Sequence, residues 1–293
     1  MERPSVRSIH VSCLTASQAP VIGVVVRMPP PSRWSCVLRW DVRSHVVEEG
    51  AWTTLRLKQR VCRLSPDGEF LLYNAGGPLK GPFSRESGGA VAISRLPWLA
   101  ALTDIRPASI MGGGPSRHAL SRGEQDELWR RFKDAPWHYM ERNWRAHLGH
   151  RWQRLNSTGG YGPEAIPWLG DRRARRVATA VVPKKNLRLV AVSDRRRLND
   201  STNDTLRFFL ESGEGDSRRL REIDGVTWAH PTDEGGIAVA TFTGHLQHLR
   251  PGSEGSATAK LRIDQDHNLC KLRRRAGPAP RWAMAPLGAR RSR

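Results

Sequence analysis

Short apolar runs separated by turn-forming residues recur along most of this chain. Runs of about four to eight residues rich in β-branched and aromatic side chains, bounded by Gly, Pro, Asp or Ser, are typical of β-strands. The pattern therefore predicts a mainly β protein. The predicted strands lie at residues 22–26, 34–42, 43–52 (with its alternation ending at Gly50), 53–64, 69–75, 90–102 (broken at Pro97, or an edge strand), 175–183, 187–193 and 204–212, and further strand and turn patterns follow within 220–250.

One hairpin is predicted from its turn chemistry. In segment 53–64, Leu55 and Leu57 alternate with basic residues, which is typical of a half-buried strand. The following Ser-Pro-Asp-Gly at 65–68 is a turn, because Pro presets φ, Asp caps the turn and Gly tolerates positive φ. Residues 61–75 are thus predicted to fold back on themselves, and the similar Pro, acidic and Gly pattern at 226–242 predicts a second hairpin of the same kind.

In the middle of the chain, the apolar residues have the spacing of helices instead of the alternation of strands. Ser121 and Glu124 have the spacing of a capping box, and the apolar stripe that follows predicts a helix over 122–134. A second helix is predicted over 137–150, with Gly149 after its last turn. We interpret 121–150 as a short helical insertion in a β-rich domain spanning 1–272, followed by a basic, disordered tail at 273–293.

Three quoted segments carry a resemblance to known proteins: "RWDVRSHVVEEGAW" from Arg39, "CRLSPDGEFLLY" from Cys62, and "GGAVAISRLPWLAALTDI" before the Gly-rich stretch 112–114. The second is similar to the strand-turn-strand unit of TolB-like and WD40-like propeller repeats. Together they resemble a group of bacterial proteins without an assigned activity, from which Arg63 and Leu96 depart. The resemblance implies propeller-like repeated antiparallel sheets and carries over no catalytic residues. Another mostly β fold and an α+β fold remain open alternatives.

The charge of the chain suggests a class of partner. The formal net charge is +20, with a pI near 11.2, which is typical of proteins that bind polyanions. Arg supplies most of the positive charge, however, and a GC-rich genome enriches Arg without selection for binding. If a polyanion binds, we expect it at the two densest internal basic runs. These comprise Arg172, Arg173, Arg175 and Arg176 in the first run, and Arg195, Arg196 and Arg197 in the second.

The chemistry-bearing residues predict no cofactor, metal or catalytic site. The four Cys have no C-x-x-C spacing, and three lie in or beside apolar stretches, as buried free thiols do in a reducing cytoplasm. His147 and His150 straddle an expected helix end, and His245 and His248 would point to opposite faces of a strand. No signal segment or membrane span is predicted, so we expect a cytoplasmic location.

Three functions fit these observations. The favoured hypothesis is a non-enzymatic recognition or scaffold protein that binds another protein through loops on one face of a propeller-like body. The alternative is a nucleic-acid-binding protein that uses the Arg runs. The third is a hydrolase with its site in the propeller mouth, which a cluster of carboxylates or histidines in a pocket would favour. The sequence leaves the oligomeric state open.

Overall fold

The chain folds into antiparallel sheets that follow one another in sequence. The computed structural model describes residues 9–57, 62–76, 90–105, 120–132, 148–155, 176–193, 206–213, 218–252, 261–274, 277–285 and 287. These residues form four antiparallel sheets and one α-helix, α1. The chain divides into two compact units, Met1–His147 with Arg273–Arg293 and Leu148–Leu272. No helix in the described ranges is long and apolar enough to cross a membrane.

The first sheet is a meander of four strands in chain order. It comprises β1 (His10–Thr15), β2 (Val21–Arg27), β3 (Ser35–Asp41) and β4 (Val46–Thr53). Most of β2 and β3 is buried, which agrees with their continuous apolar sequences. The strand β4 runs past Gly50, where we expected the alternation to end, and a bulge between Cys36 and Leu38 shifts its register against β3.

The second sheet contains the predicted Pro-Asp-Gly hairpin. Its strands are β5 (Arg56–Leu57), β6 (Arg63–Leu64), β7 (Phe70–Gly76), β8 (Ala90–Arg95) and β9 (Ala101–Ile105). Both β5 and β6 pair with β7, and β8 follows β7. Residues 63–64 pair with 71–72, which confirms the hairpin, and the break at Pro97 is confirmed as the turn between β8 and β9. Leu55 precedes β5 and is exposed, so its expected position beside Leu57 on a buried face is wrong.

The second sheet is covered on both faces. One face packs on the first sheet through side chains that include Val25, Val37, Leu71 and Leu96. The other face carries a separate cluster with Phe70. The helix α1 (Arg122–Arg130) and neighbouring residues cover this second cluster through Leu120, Leu128 and Phe132, with Leu287 packed against it.

The capping box predicted for α1 is present. The Ser121 hydroxyl accepts the Glu124 N–H, and the Glu124 carboxylate accepts the Ser121 N–H at 2.9 Å. The helix ends at Arg130, four residues before the predicted end, and residues 131–132 form a turn. Most of the second predicted helix, residues 137–147, lies outside the described residues. Gly149 has a φ of 104°, a left-handed conformation that suits a residue after a helix.

The structure describes residues 277–285 of the C-terminal segment, and the expected disorder of 273–293 stays a prediction. A 3-10 helix spans Arg281–Met284, and Ala283 is fully buried. The Arg95 guanidinium, only 2% exposed, donates to the carbonyls of Trp282 and Ala285. Sequence reasoning missed this attachment because it depends on an Arg that lies far away in the chain.

The third sheet belongs to the second unit. Its strands follow chain order: β10 (Gln153–Arg154), β11 (Arg176–Val182), β12 (Leu187–Ser193), β13 (Leu206–Ser212) and β14 (Arg219–Glu222). Buried Val and Phe side chains, among them Val177, Val190 and Phe209, form the core of one face. Trp152 packs edge-on against Phe208 with ring centroids 5.9 Å apart.

The fourth sheet contains the second predicted hairpin. Its strands are β15 (Val226–Pro231), β16 (Ile237–Thr241), β17 (His245–Pro251) and β18 (Leu261–Asn268), again in chain order. The antiparallel pairing of β15 with β16 confirms that 226–242 folds back on itself. The strand β15 contacts β11 and β13 of the third sheet, so the two sheets are neighbours within this unit.

Candidate functional site

The Arg runs predicted from the sequence join the same end of the third sheet. Arg176 is the first residue of β11, and its partner across the ladder is Ser193, the last residue of β12. The first run therefore precedes the start of β11, and the second run follows the end of β12. Both are attached to the sheet at the same end of these two strands. The remaining predicted site residues lie outside the described residues: Arg172, Arg173, Arg175, Arg195, Arg196 and Arg197.

The opposite end of the third sheet carries an open cleft of about 210 Å³, which sequence reasoning missed. It lies beside the turn 183–186 that connects β11 to β12. Three lining side chains are cationic and one is a carboxylate. The described lining residues are Val181, Lys185, Asn186, Leu187, Arg188, Glu211, Gly213 and Arg218.

The register of two hairpins builds the charged part of this cleft. Arg188 stands directly opposite Val181 on β11 and Glu211 on β13. The Arg188 Nη1 lies 3.7 Å from the Glu211 Oε2, and the Arg218 Nε lies 2.9 Å from the Glu211 Oε1. Glu211 is only 4% exposed, whereas the Arg188 side chain is 45% exposed. A buried carboxylate thus holds two guanidinium groups at the wall of an open cleft.

Local backbone geometry brings Lys185 to the same place. The Lys185 N–H donates to the Val182 carbonyl at 3.3 Å, which closes the turn, and Lys184 takes a φ of 61°. Gly213, with a φ of 82°, ends β13 beside the cleft. These left-handed residues reverse the chain so that the turn and the end of β13 meet.

A histidine cluster lies elsewhere in the second unit, in which His230 is buried and His150 is exposed. The rings of His150 and His230 are 5.2 Å apart, and Trp228 stacks on His230 with ring centroids at 5.9 Å. The His230 Nδ1 is 3.1 Å from the Leu148 carbonyl, so this nitrogen carries the proton and donates. Burial, together with the smaller effect of the neighbouring His150, lowers the pKa of His230 to about 3. Burial also lowers the pKa of His150.

A hydroxyl, an imidazole and a carboxylate meet at the turn between β15 and β16. The Thr232 Oγ1 is 3.3 Å from the His248 Nε2, and the His248 Nδ1 is 3.6 Å from the Asp264 Oδ2. This order of groups occurs in hydrolases. Here the Thr232 hydroxyl also accepts the Gly236 N–H at 3.1 Å and is buried with its turn, and none of the three residues lines the cleft. The arrangement stabilises the turn.

The candidate His and turn carboxylates have structural partners. The His245 Nδ1 contacts the Asp266 carboxylate at 2.7 Å, whereas His248 is buried, which agrees with opposite directions along β17. Asp67 accepts the Glu69 N–H at 3.0 Å and the Ser65 hydroxyl at 2.5 Å within its own turn. His147 lies outside the described residues.

The cysteine thiols show the expected burial. Cys13, Cys36 and Cys62 are buried, Cys270 is exposed, and none of the four forms a disulfide in the part of the chain that the structure describes. Burial raises the pKa of the Cys36 and Cys62 thiols to about 12 and raises that of Cys13 as well. The three buried thiols are therefore protonated at neutral pH and suit packing better than nucleophilic chemistry.

Comparison with known proteins adds no relative from which a function could be transferred. No family model matches the chain, no curated protein matches it, and no solved structure matches it. The resemblance to TolB-like and WD40-like repeats therefore stays a prediction, and any functional conclusion depends on the geometry of the chain itself.

Proposed function

We propose that this protein is a non-enzymatic recognition module with a β-propeller-like body. The supporting observation is a repeated contact between the turns of successive sheets. In the first unit, the Gln18 N–H donates to the Pro66 carbonyl at 2.8 Å, which joins a turn of the first sheet to the Pro-Asp-Gly turn of the second. In the second unit, Gly235 in the turn between β15 and β16 lies against Pro183 in the turn between β11 and β12, so close that a Cβ on Gly235 would lie 2.8 Å from the Pro183 carbonyl oxygen. Face-packed meanders with adjoining turns are the arrangement of neighbouring propeller blades.

Turns gathered at one end of packed sheets are a suitable surface for binding another protein. Rigid strands position the turns, while the turn residues themselves are exposed to a partner. The turn carboxylate Asp67 is engaged in hydrogen bonds within its own turn, which favours a structural role over acid–base chemistry. We therefore infer that loops at the sheet ends bind a macromolecular partner and that the protein has no catalytic function.

Site-specific photocrosslinking in cells of the source species tests this function. A photoreactive amino acid replaces Asn186, an exposed turn residue of the third sheet. The control replaces Ile263, which is 55% exposed on β18, an outer strand of the fourth sheet. We expect one dominant protein adduct from position 186, reproduced when that protein is purified and mixed with this chain, and none from position 263. Equal adducts from both positions, or none from either, would contradict the proposal.

Nucleic-acid binding is a second candidate, which the pairing of Arg176 with Ser193 favours. Because both Arg runs are attached at the same end of the third sheet, their charges are attached to a single region of the protein. Each duplex phosphate contact contributes about 0.9 to the slope of log affinity against log salt concentration. The triple variant R195Q/R196Q/R197Q should therefore flatten this slope on duplex DNA by about 0.9 for every phosphate that the replaced guanidinium groups neutralise.

The control for this experiment removes the same charge elsewhere. The variant R27Q/R33Q/R122Q loses three exposed Arg of the first unit. We expect it to bind DNA with nearly the wild-type salt slope, apart from the small effect of net charge. If the two triple variants change the slope equally, the binding reflects the overall charge of +20 and this candidate is wrong.

A further inference from the structure

We propose that the cleft lined by Lys185, Arg188, Glu211 and Arg218 is a binding site for a dianionic phosphate monoester group. The proposal does not depend on the propeller-like body or on the Arg runs, because the cleft lies at the other end of the third sheet. It stands on the charge of the cleft, on the order imposed by Glu211 and on the size and openness of the space.

The charge of the cleft matches a phosphate monoester. Three cations and one carboxylate among the described lining residues give a net charge of +2 at neutral pH. A phosphate monoester carries about −1.5 to −2 at pH 7. A carboxylate ligand or a single phosphodiester, each with one negative charge, would leave about half of this charge uncompensated. The monoester is therefore the ligand group whose charge the described lining residues complement.

Glu211 orders the cationic groups before a ligand arrives. Its carboxylate is almost fully buried, and each of its oxygens faces a different guanidinium, those of Arg188 and Arg218. A guanidinium carries five N–H donors in a rigid fork, so one contact at 3.7 Å engages little of the donor capacity of Arg188. Side chains that are already ordered lose less entropy on binding, which strengthens affinity.

The dimensions of the cleft suit a phosphate group at the end of a larger molecule. A volume of about 210 Å³ corresponds to roughly seven water molecules at ~30 Å³ each. The lining donors belong to three segments of the chain: Lys185 and Asn186 lie in the turn, Arg188 lies in β12, and Arg218 immediately precedes β14. Guanidinium groups form bidentate hydrogen bonds with phosphate oxygens.

Isothermal titration with inorganic phosphate at pH 8 and low salt tests the site on the full chain. We expect saturable binding with one phosphate per chain. The variants Arg188→Ala and Lys185→Ala should each weaken the affinity at least tenfold, because a hydrogen bond to a charged group contributes about 1.5–3 kcal/mol. Arg188→Lys should recover part of the loss. Arg122→Ala, which removes an equal charge from an exposed position of the first unit, should bind as wild type does.

Further titrations identify the source of the phosphate group. Phosphoserine, adenosine monophosphate and single-stranded DNA without a terminal phosphate are compared on the same variants. We expect at least one of the two monoesters to bind more tightly than inorganic phosphate, with the same sensitivity to Arg188→Ala. The proposal is overturned if phosphate shows no saturable binding up to 10 mM (~−2.7 kcal/mol), if Arg122→Ala weakens binding as much as Arg188→Ala, or if DNA binds best without sensitivity to position 188. Circular dichroism of each variant verifies that the fold is retained.

Discussion

The buried His230 should make the protein less stable in mild acid, and this effect can be calculated. Burial and the neighbouring His150 lower its pKa from 6.5 to about 3 in the folded state. Below pH 6.5 the unfolded chain binds a proton at this position, whereas the folded chain does not bind one until about pH 3. The contribution of His230 to stability is therefore complete above pH 6.5 and decreases as the pH falls toward 3.

The magnitude follows from the two pKa values. Between pH 7.5 and pH 5.0, the proton bound by the unfolded chain changes the free energy of unfolding by RT ln(32.6/1.1), which is ~2 kcal/mol. We therefore expect ~2 kcal/mol of stability to be lost over this range because of His230 alone. The pKa of His150 is also lowered, so this residue acts in the same direction.

The variant His230→Asn isolates this contribution. Its amide can still donate to the Leu148 carbonyl, which the His230 Nδ1 contacts at 3.1 Å, but it cannot titrate. Urea unfolding followed by circular dichroism at pH 7.5 and 5.0 gives the loss of stability for each protein. We expect the loss to be ~2 kcal/mol smaller in the variant than in wild type.

A control measures how much a histidine outside this cluster contributes to the loss of unfolding free energy between pH 7.5 and pH 5.0. His267→Asn removes a half-buried histidine whose Nε2 contacts the Gln265 side chain, outside the His150 and His230 cluster. If His230→Asn and wild type lose the same stability between the two pH values, His230 is not buried in its neutral form. The reasoning from the packing of this cluster would then be refuted.

Three further predictions concern other parts of the fold. Ser121→Ala should lower the free energy of unfolding by about 1 kcal/mol through loss of the helix cap, and an unchanged urea midpoint would contradict the capping box. Gly50→Ala should destabilise by about 1–3 kcal/mol, because the new Cβ would overlap the Pro97 carbonyl; a melting temperature at or above wild type would contradict this contact. In the folded protein a thiol reagent should modify the exposed Cys270 rapidly and the buried Cys62 only after unfolding, so equal rates by mass spectrometry would be the contrary result.

Local features of the fold were predictable from the sequence because local chemistry determines them. The Pro-Asp-Gly turn at 66–68 produces the hairpin of β6 and β7, since it accommodates Gly68 at a φ of 73°. The capping box at Ser121 begins α1, and Pro97 separates β8 from β9. Each of these signals involves residues within a few positions of one another, so a pattern along the chain contains them completely.

Long-range features were not predictable in the same way. The attachment of the C-terminal segment requires Arg95 to reach the carbonyls of Trp282 and Ala285, which lie 187 and 190 positions further along the chain. A buried Arg has the same sequence appearance as an exposed one, so composition favoured a disordered tail. The Trp282 and Ala285 carbonyls accept hydrogen bonds from a charged donor, which are stronger than those between neutral groups.

The proposed phosphate site depends on the register of two strand pairs. The four residues 183–186 set Val182 opposite Leu187, and the separate pairing of β12 with β13 places Arg188 opposite Glu211. A shift of one residue between β12 and β13 would turn the Arg188 side chain to the other face of the sheet and separate it from the Glu211 carboxylate. The cleft is therefore a property of hairpin register, and an alternation of charges in the sequence does not reveal it. Deleting Lys184 should weaken phosphate binding in the same titration at least as much as Lys185→Ala does, because it changes the turn that presents Lys185 and Asn186 to the cleft; an affinity equal to that of wild type would contradict this dependence on the turn.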